Sequence, residues 1–242
     1  MYRTGLAFEA AELAENGGGT VIKRRRFGNV KICDVRVSAA DAERIGKAAG
    51  RYITIEGSPT EHAAAWLLQK ALEQLVPRTG LILAAGLGNP DIAHDSLGAR
   101  SVQLLSCGAG RRSLAAMETD VSANTGIDTA LMVKAVAREM RASCVLAIDA
   151  LACKDPLHIG TTIQITDTGI QPGSGVSSGA AALTRGYVGI PVVAVGVPMV
   201  SQLSGLTSDM RHKEYLISHA NEERLTAQWS ELIAAAVNGL IV

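Results

Sequence analysis

The chain has 242 residues, enough for one large folded unit or two small ones. Hydrophobic residues make up 48% and charged residues 19%, which excludes a disordered chain, and with only 3% aromatic the interior must be filled by Ala, Val, Ile, Leu and Gly. Lys plus Arg and Asp plus Glu number 23 each, so no generic attraction to nucleic acid or to an anionic membrane is expected.

In chain order, Leu6, Ala7, Ala10, Ala11 and Leu13 line one side of a short predicted helix that stops before the break Asn16-Gly17-Gly18-Gly19. Residues 20–26 and 30–37 read as a hairpin turning at Gly28-Asn29, and residues 51–56 as a third strand. These form a small antiparallel unit. The run Lys23-Arg24-Arg25-Arg26 lies in its first strand. Without interleaved aromatics it reads as a solvated strand face and not as a nucleic-acid patch.

From residue 60 the period changes. Leu68, Ala71, Leu72 and Leu75 mark a helix over 60–76. Strand 80–86, helix 96–105, helix 127–140, strand 143–149, strand 161–166, strand 190–197 and helix 221–238 follow. This alternation predicts an α/β fold, a mainly parallel sheet sandwiched by helices, with the antiparallel strand unit at its N-terminal side. No repeat or linker interrupts it, so residues 1–242 are expected to form a single domain.

Cys33, Cys107, Cys144 and Cys153 have no CxxC spacing, so neither a disulfide framework nor a zinc site is expected. The N-terminus lacks a basic-plus-apolar signal and no apolar run is long enough to span a bilayer. A reducing, cytoplasmic setting follows by default.

Two carboxylates stand out. Asp95 follows the apolar run 81–85 and the loop Gly86-Leu87-Gly88-Asn89-Pro90; Asp149 closes the run Cys144-Val145-Leu146-Ala147-Ile148. Catalytic groups of open α/β sheets gather outside the carboxyl ends of the strands. Two aspartates converging there can share a proton and act as general acid and base on a peptide bond. Asp95 and Ser96 would equally suit the cap of a helix starting near Leu97, and Asp149 could cap a turn opening at Ala150.

The loop containing Pro172-Gly173-Ser174-Gly175 can offer backbone N–H groups to a substrate carbonyl, or be a plain turn. Asp167 suits an Asx-turn. His94 and His158 lie near the two aspartates in sequence, which keeps a metal site conceivable, although no HExxH or HxH spacing links any of the five histidines. There is no GxSxG elbow for a serine nucleophile and no complete phosphate-binding glycine loop.

The words Arg3-Thr4 with Leu6-Ala7 and Glu9-Ala10, Tyr52 through Glu56, Gly86-Leu87-Gly88-Asn89 with Asp95-Ser96-Leu97-Gly98, Thr125-Gly126-Ile127, Ile148 through Ala152, Thr161 through Gly169, Pro172 through Gly175 and Gly189 through Val192 occur in this order. In that series the chain resembles the germination protease family of spore-forming bacteria, atypical aspartic endopeptidases that degrade small acid-soluble spore proteins. The resemblance implies a fold related to the hydrogenase maturation proteases, which recognise a metal through carboxylates and His. It further implies catalysis by the positions matching Asp95 and Asp149, a spore-core location, zymogen control and a homo-oligomer. Gly5 stands where the family usually has Asp, Ser96 where it usually has Ala, and the chain is shorter than the family's members.

The expected function is therefore an endopeptidase of small acid-soluble spore proteins, with Asp95 and Asp149 activating water and no metal or other cofactor. Asn89, Gly173 and Ser174 are the expected substrate-side residues; no direct nucleic-acid partner is expected. Because family-like sequence starts at Arg3, the chain is expected to be active without proteolytic maturation. Two alternatives stay open: a catalytically weak regulatory or binding homologue of the same fold, and a metal-recognising maturation peptidase.

Overall fold

A computed structural model describes residues 4–13, 19–170, 181–202 and 215–241. Nine strands form one mixed sheet: β1 (Val21–Phe27), β2 (Val30–Val37), β3 (Gly50–Glu56), β4 (Gly80–Gly86), β5 (Arg112–Glu118), β6 (Cys144–Cys153), β7 (Thr162–Thr166), β8 (Val192–Gln202) and β9 (Leu216–Ser218). Their lateral order is β1-β2-β3-β7-β8-β6-β4-β5, with β9 beside the end of β8. The expected parallel sheet is the β8-β6-β4-β5 half. The hairpin unit is continuous with it, because β7 pairs antiparallel with both β3 and β8.

Helices cover both faces. On one side α3 (His62–Leu75), α4 (Leu97–Gln103) and α8 (Glu222–Asn238) pack on Ile82, Ala84, Leu146, Ile148, Val195 and Ile163. Trp229 of α8 is fully buried there, and its indole N–H donates to the Gly160 carbonyl at 2.9 Å. An indole buried this completely without an acceptor would cost a lost hydrogen bond on top of its packing.

The opposite face carries two clusters. The first places α6 (Thr129–Glu139), which follows the short α5 (Ser122–Thr125), and α7 (Arg185–Val188) over Leu83, Ala85, Val145, Ala147 and Ala194. In the second, α1 (Ala7–Leu13) and α2 (Ala42–Ile45) lie over Cys33, Val35 and Tyr52. Residues of one strand alternate between faces, so Asp149, two and four residues after Ala147 and Val145, points to this side, between the two clusters.

Several elements differ from the sequence reading, β8 among them, which runs on to Gln202. β6 does not stop at residue 149 but runs to Cys153, held by β8, with a bulge between Leu151 and Ala152. Asp149 therefore sits within a strand and opens no helical turn. β5 was not expected: Arg-Ser-Leu-Ala-Ala-Met-Glu has little β-branched character, and the strand forms at the edge of the sheet along β4. β9 is three residues long, too short to leave a period.

Candidate active site

The site lies where β4 ends and β6 continues. Gly86, the last residue of β4, is opposite Ile148, so Asp149 is the first β6 residue without a β4 neighbour. The chain leaving β4 stays close at first, Leu87 N–H donating to the Ile148 carbonyl at 2.8 Å, and then turns through Gly88. Such a step, where one parallel strand outlasts its neighbour, is a crevice of the kind in which α/β sheets hold reacting groups.

Gly88 has φ +97°, a conformation that disfavours any side chain, and a Cβ there would lie 2.2 Å from the Asp95 carbonyl oxygen. The loop folds back so tightly that the Asn89 N–H donates to an Asp95 carboxylate oxygen at 2.7 Å. Asp95 is thus aimed by the loop and is not a helix cap. Ser96 occupies the N-cap position of α4 without a side-chain capping bond; its hydroxyl donates to the Ala93 carbonyl at 3.0 Å. The Asn89 side chain is committed locally, its oxygen accepting from Asp91 N–H at 2.9 Å, so the contribution of Asn89 to Asp95 comes from its backbone.

α4 then brings Asp95 against β6. A Cβ on Gly98 would lie 2.4 Å from the Ile148 carbonyl oxygen and from both N and O of Leu87. Only glycine lets the helix backbone touch both strands here.

Asp149 is 6% exposed and one of its oxygens accepts from the Ala150 N–H at 2.9 Å. Burial, followed by the negative charge of Asp95, pushes its carboxyl up to about 8, against the smaller opposing effect of the Ala150 bond. The two aspartates therefore feel one another electrostatically, and burial together with the Asp95 charge favours the protonated form of Asp149. A buried carboxylic acid next to a carboxylate can donate a proton to a leaving group while its partner accepts one from water.

Other sequence candidates are placed elsewhere. His158 meets buried Glu9, Nδ1 to Oε1 2.6 Å, and His94 faces Glu222 at 3.5 Å. Asp167 accepts from the Arg51 N–H at 2.8 Å, a structural tie across the sheet. Among the described residues no three His, Cys, Asp or Glu side chains gather in a group able to hold a metal ion. Gly173 and Ser174 lie outside the described residues.

The chain matches the family model described as germination protease over residues 7–238. It belongs to the germination protease family. It is 32% identical to the germination protease of Bacillus subtilis (strain 168) over 255 residues, covering 92% of this chain and 69% of that one. The germination protease of Priestia megaterium is 31% identical over 261 residues, covering 91% and 68%. A NiFe hydrogenase maturation protease from Thermococcus kodakarensis is 16% identical, with 71% of this chain and 98% of that one covered at a TM-score of 0.40. Membership places the chain among the peptidases of germination, and no helix among the described residues is long and apolar enough to cross a membrane.

Sequence reasoning missed what surrounds the pair in this germination protease relative. Asp149 is flanked across β8 by Gly196, and Gly196 is flanked across β7 by Gln164, all on one face. The Gln164 amide holds the N-terminal segment, accepting from Ala7 N–H at 2.7 Å and donating to the Gly5 carbonyl at 3.0 Å. Gly5 N–H bonds the Ala152 carbonyl at 2.6 Å, so residues 5–7 wall the site on that side. A lone Gln in a strand gives no signal of such a role; only the register exposes it.

Proposed function

We propose that the chain is an endopeptidase that cleaves small acid-soluble spore proteins, with Asp149 as general acid and Asp95 as general base. The observation that carries this reading is the buried Asp149 carboxyl, raised to about 8 by burial and by the charge of Asp95, at the step between β4 and β6. The substrate class rests on family membership.

In the proposed reaction a water lies between the two carboxyl groups. The Asp95 carboxylate, oriented by the Asn89 N–H, draws a proton from it as oxygen attacks the peptide carbon. Asp149 gives its proton to the carbonyl oxygen, forming a gem-diol; the proton that Asp95 took from water then passes to the amine nitrogen as the C–N bond breaks, and Asp149 takes a proton back from the gem-diol to leave the carboxylic acid. Burial suits Asp149 to the acid's part, because the neutral form is favoured until a proton is needed.

Digestion of a purified small acid-soluble spore protein, followed on a gel, tests this. The parent chain is expected to cut it. Asp95→Asn and Asp149→Asn, each shown to be folded by circular dichroism, are expected to leave it intact. Undiminished cleavage by either variant would remove that aspartate from the chemistry.

A further inference from the structure

The sheet ends in β1. Among the described residues β1 pairs with β2 on one side only, leaving the backbone donors and acceptors of its other edge open over seven residues. Its side chains from Lys23 to Phe27 are all exposed. Four consecutive residues, Lys23, Arg24, Arg25 and Arg26, are cationic in a chain whose net charge is zero.

The two faces of β1 differ. Arg24 lies over α1 and pairs with Glu12. On the other face Lys23, Arg25 and Phe27 follow one another at strand alternation, opposite Asp34, Ile32 and Val30. There the Phe27 ring stacks on Trp66 of α3, centroids 5.8 Å apart and planes 27° from parallel. Both rings stay half in water, at 54% and 50% exposure. Charge alone would suffice to protect an edge from aggregation. Two large aromatic side chains left out of the core beside it do not serve that end, and mark a binding surface instead.

From these features we infer that the β1 edge, with Lys23, Arg25, Phe27 and Trp66, docks an extended acidic segment of a partner polypeptide as an added strand. Main-chain bonds along the open edge give the segment its register. Acidic side chains meet Lys23 and Arg25, and an apolar one packs on the Phe27–Trp66 pair. Charge complementarity selects this occupant. A second copy of the chain laid antiparallel on β1 would set Lys and Arg against Arg and Lys, which repels. Nucleic acid would use the charges but leave the row of backbone groups unread, and Phe27 and Trp66 already cover one another, so no base enters between them.

Trp66 reports on the site directly, since Trp229 is fully buried. The test titrates the Asp95→Asn chain, so that nothing is cut, with an eight-residue peptide alternating Glu and Val and follows tryptophan emission and acrylamide quenching. The expected result is saturable protection of the exposed tryptophan, absent in Trp66→Phe. Affinity should fall about tenfold or more in the double variant Lys23→Glu, Arg25→Glu, whose fold is checked by circular dichroism; two reversed surface charges amount to about that factor. It should also fall when alternate peptide nitrogens of the ligand are methylated. A peptide alternating Lys and Val should not bind. No protection, equal binding by the charge-reversed variant or by the methylated peptide, or protection by oligothymidylate in place of the acidic peptide would each overturn the inference. It does not rest on the catalytic reading, because binding is read without cleavage.

Discussion

Gly88 lies against Asp95 so closely that a single added carbon would fall 2.2 Å from the Asp95 carbonyl oxygen and 3.0 Å from its carboxylate. A Gly88→Ala variant must therefore move the loop that aims the carboxylate, besides straining a backbone at φ +97°. Displacing a reacting group by about 1 Å costs on the order of a hundredfold in rate. We expect kcat/KM on a spore-protein substrate to fall by about that factor while the thermal midpoint drops only modestly. Unchanged kcat/KM would separate the loop from the chemistry.

The two aspartates are expected to act as a unit. Asn at either position should remove nearly all cleavage, and Asn at both should be little worse than either alone. Steady-state rates of the three variants, measured side by side, check this. Multiplicative losses would mean independent roles.

Asp149 gives a pH signature whose sign is unusual for an acid. Its carboxyl is raised to about 8 in the folded chain and returns to ~3.9 when unfolded. Between those values the folded chain binds the extra proton, so this group's contribution to stability falls as pH rises across the interval. Asp149→Asn should flatten that slope and raise the thermal midpoint relative to the parent above pH 8. Removing the neighbouring charge with Asp95→Asn should lower the Asp149 pKa, read by carboxyl carbon NMR. Activity should decline on the alkaline side as Asp149 loses its proton.

A second buried acid behaves the opposite way. Burial alone would raise the Glu9 carboxyl, but bonds from His158, Thr4 and the Lys154 and Asp155 N–H groups hold it below the usual range. Burial would depress the His158 imidazole, but its bond to Glu9 and nearby carboxylates raise it. Glu9's stabilisation is lost as pH falls through its lowered pKa, and that of His158 is lost as pH rises through its raised one. The pair should support the fold most between ~4.5 and ~6.5, the ordinary values of the two groups. Glu9→Ala should cost about 3 kcal/mol, the scale for breaking a buried pair, in denaturant titrations at pH 5.5. A loss under about 0.5 kcal/mol, the scale of a neutral surface change, would show that the network is incidental.

What the sequence made legible follows from how locally each signal is written. The apolar runs 81–85 and 144–148 announce buried parallel strands, and the carboxylates beyond them stand out because charge is rare there. α3 and α8 keep a helical stripe over about four turns and were readable for the same reason. β5 was not, since an edge strand rich in Ala carries neither alternation nor β-branching. The reach of β6 past residue 149 depends on pairing with β8, and the wall made by Gln164 and residues 5–7 joins parts of the chain 157 to 159 residues apart. Phe27 of β1 and Trp66 of α3 meet only in the folded chain. Contacts of that kind leave no trace in any window of neighbouring residues.

The seat of α4 on β6 and on the chain leaving β4 is made by main chain meeting main chain at Gly98, with no side chain between them. Side chains are the adjustable parts of a protein interior: they change rotamer, shrink or grow by a methyl group, and let packed elements slide. This joint has none. The relative placement of Asp95 and Asp149 accordingly leans on a backbone contact that has no side chain to adjust, and any side chain added at Gly98 would force it apart. Drift in such a protein can retune how acidic the pair is, through the groups around it, far more readily than how far apart its members stand.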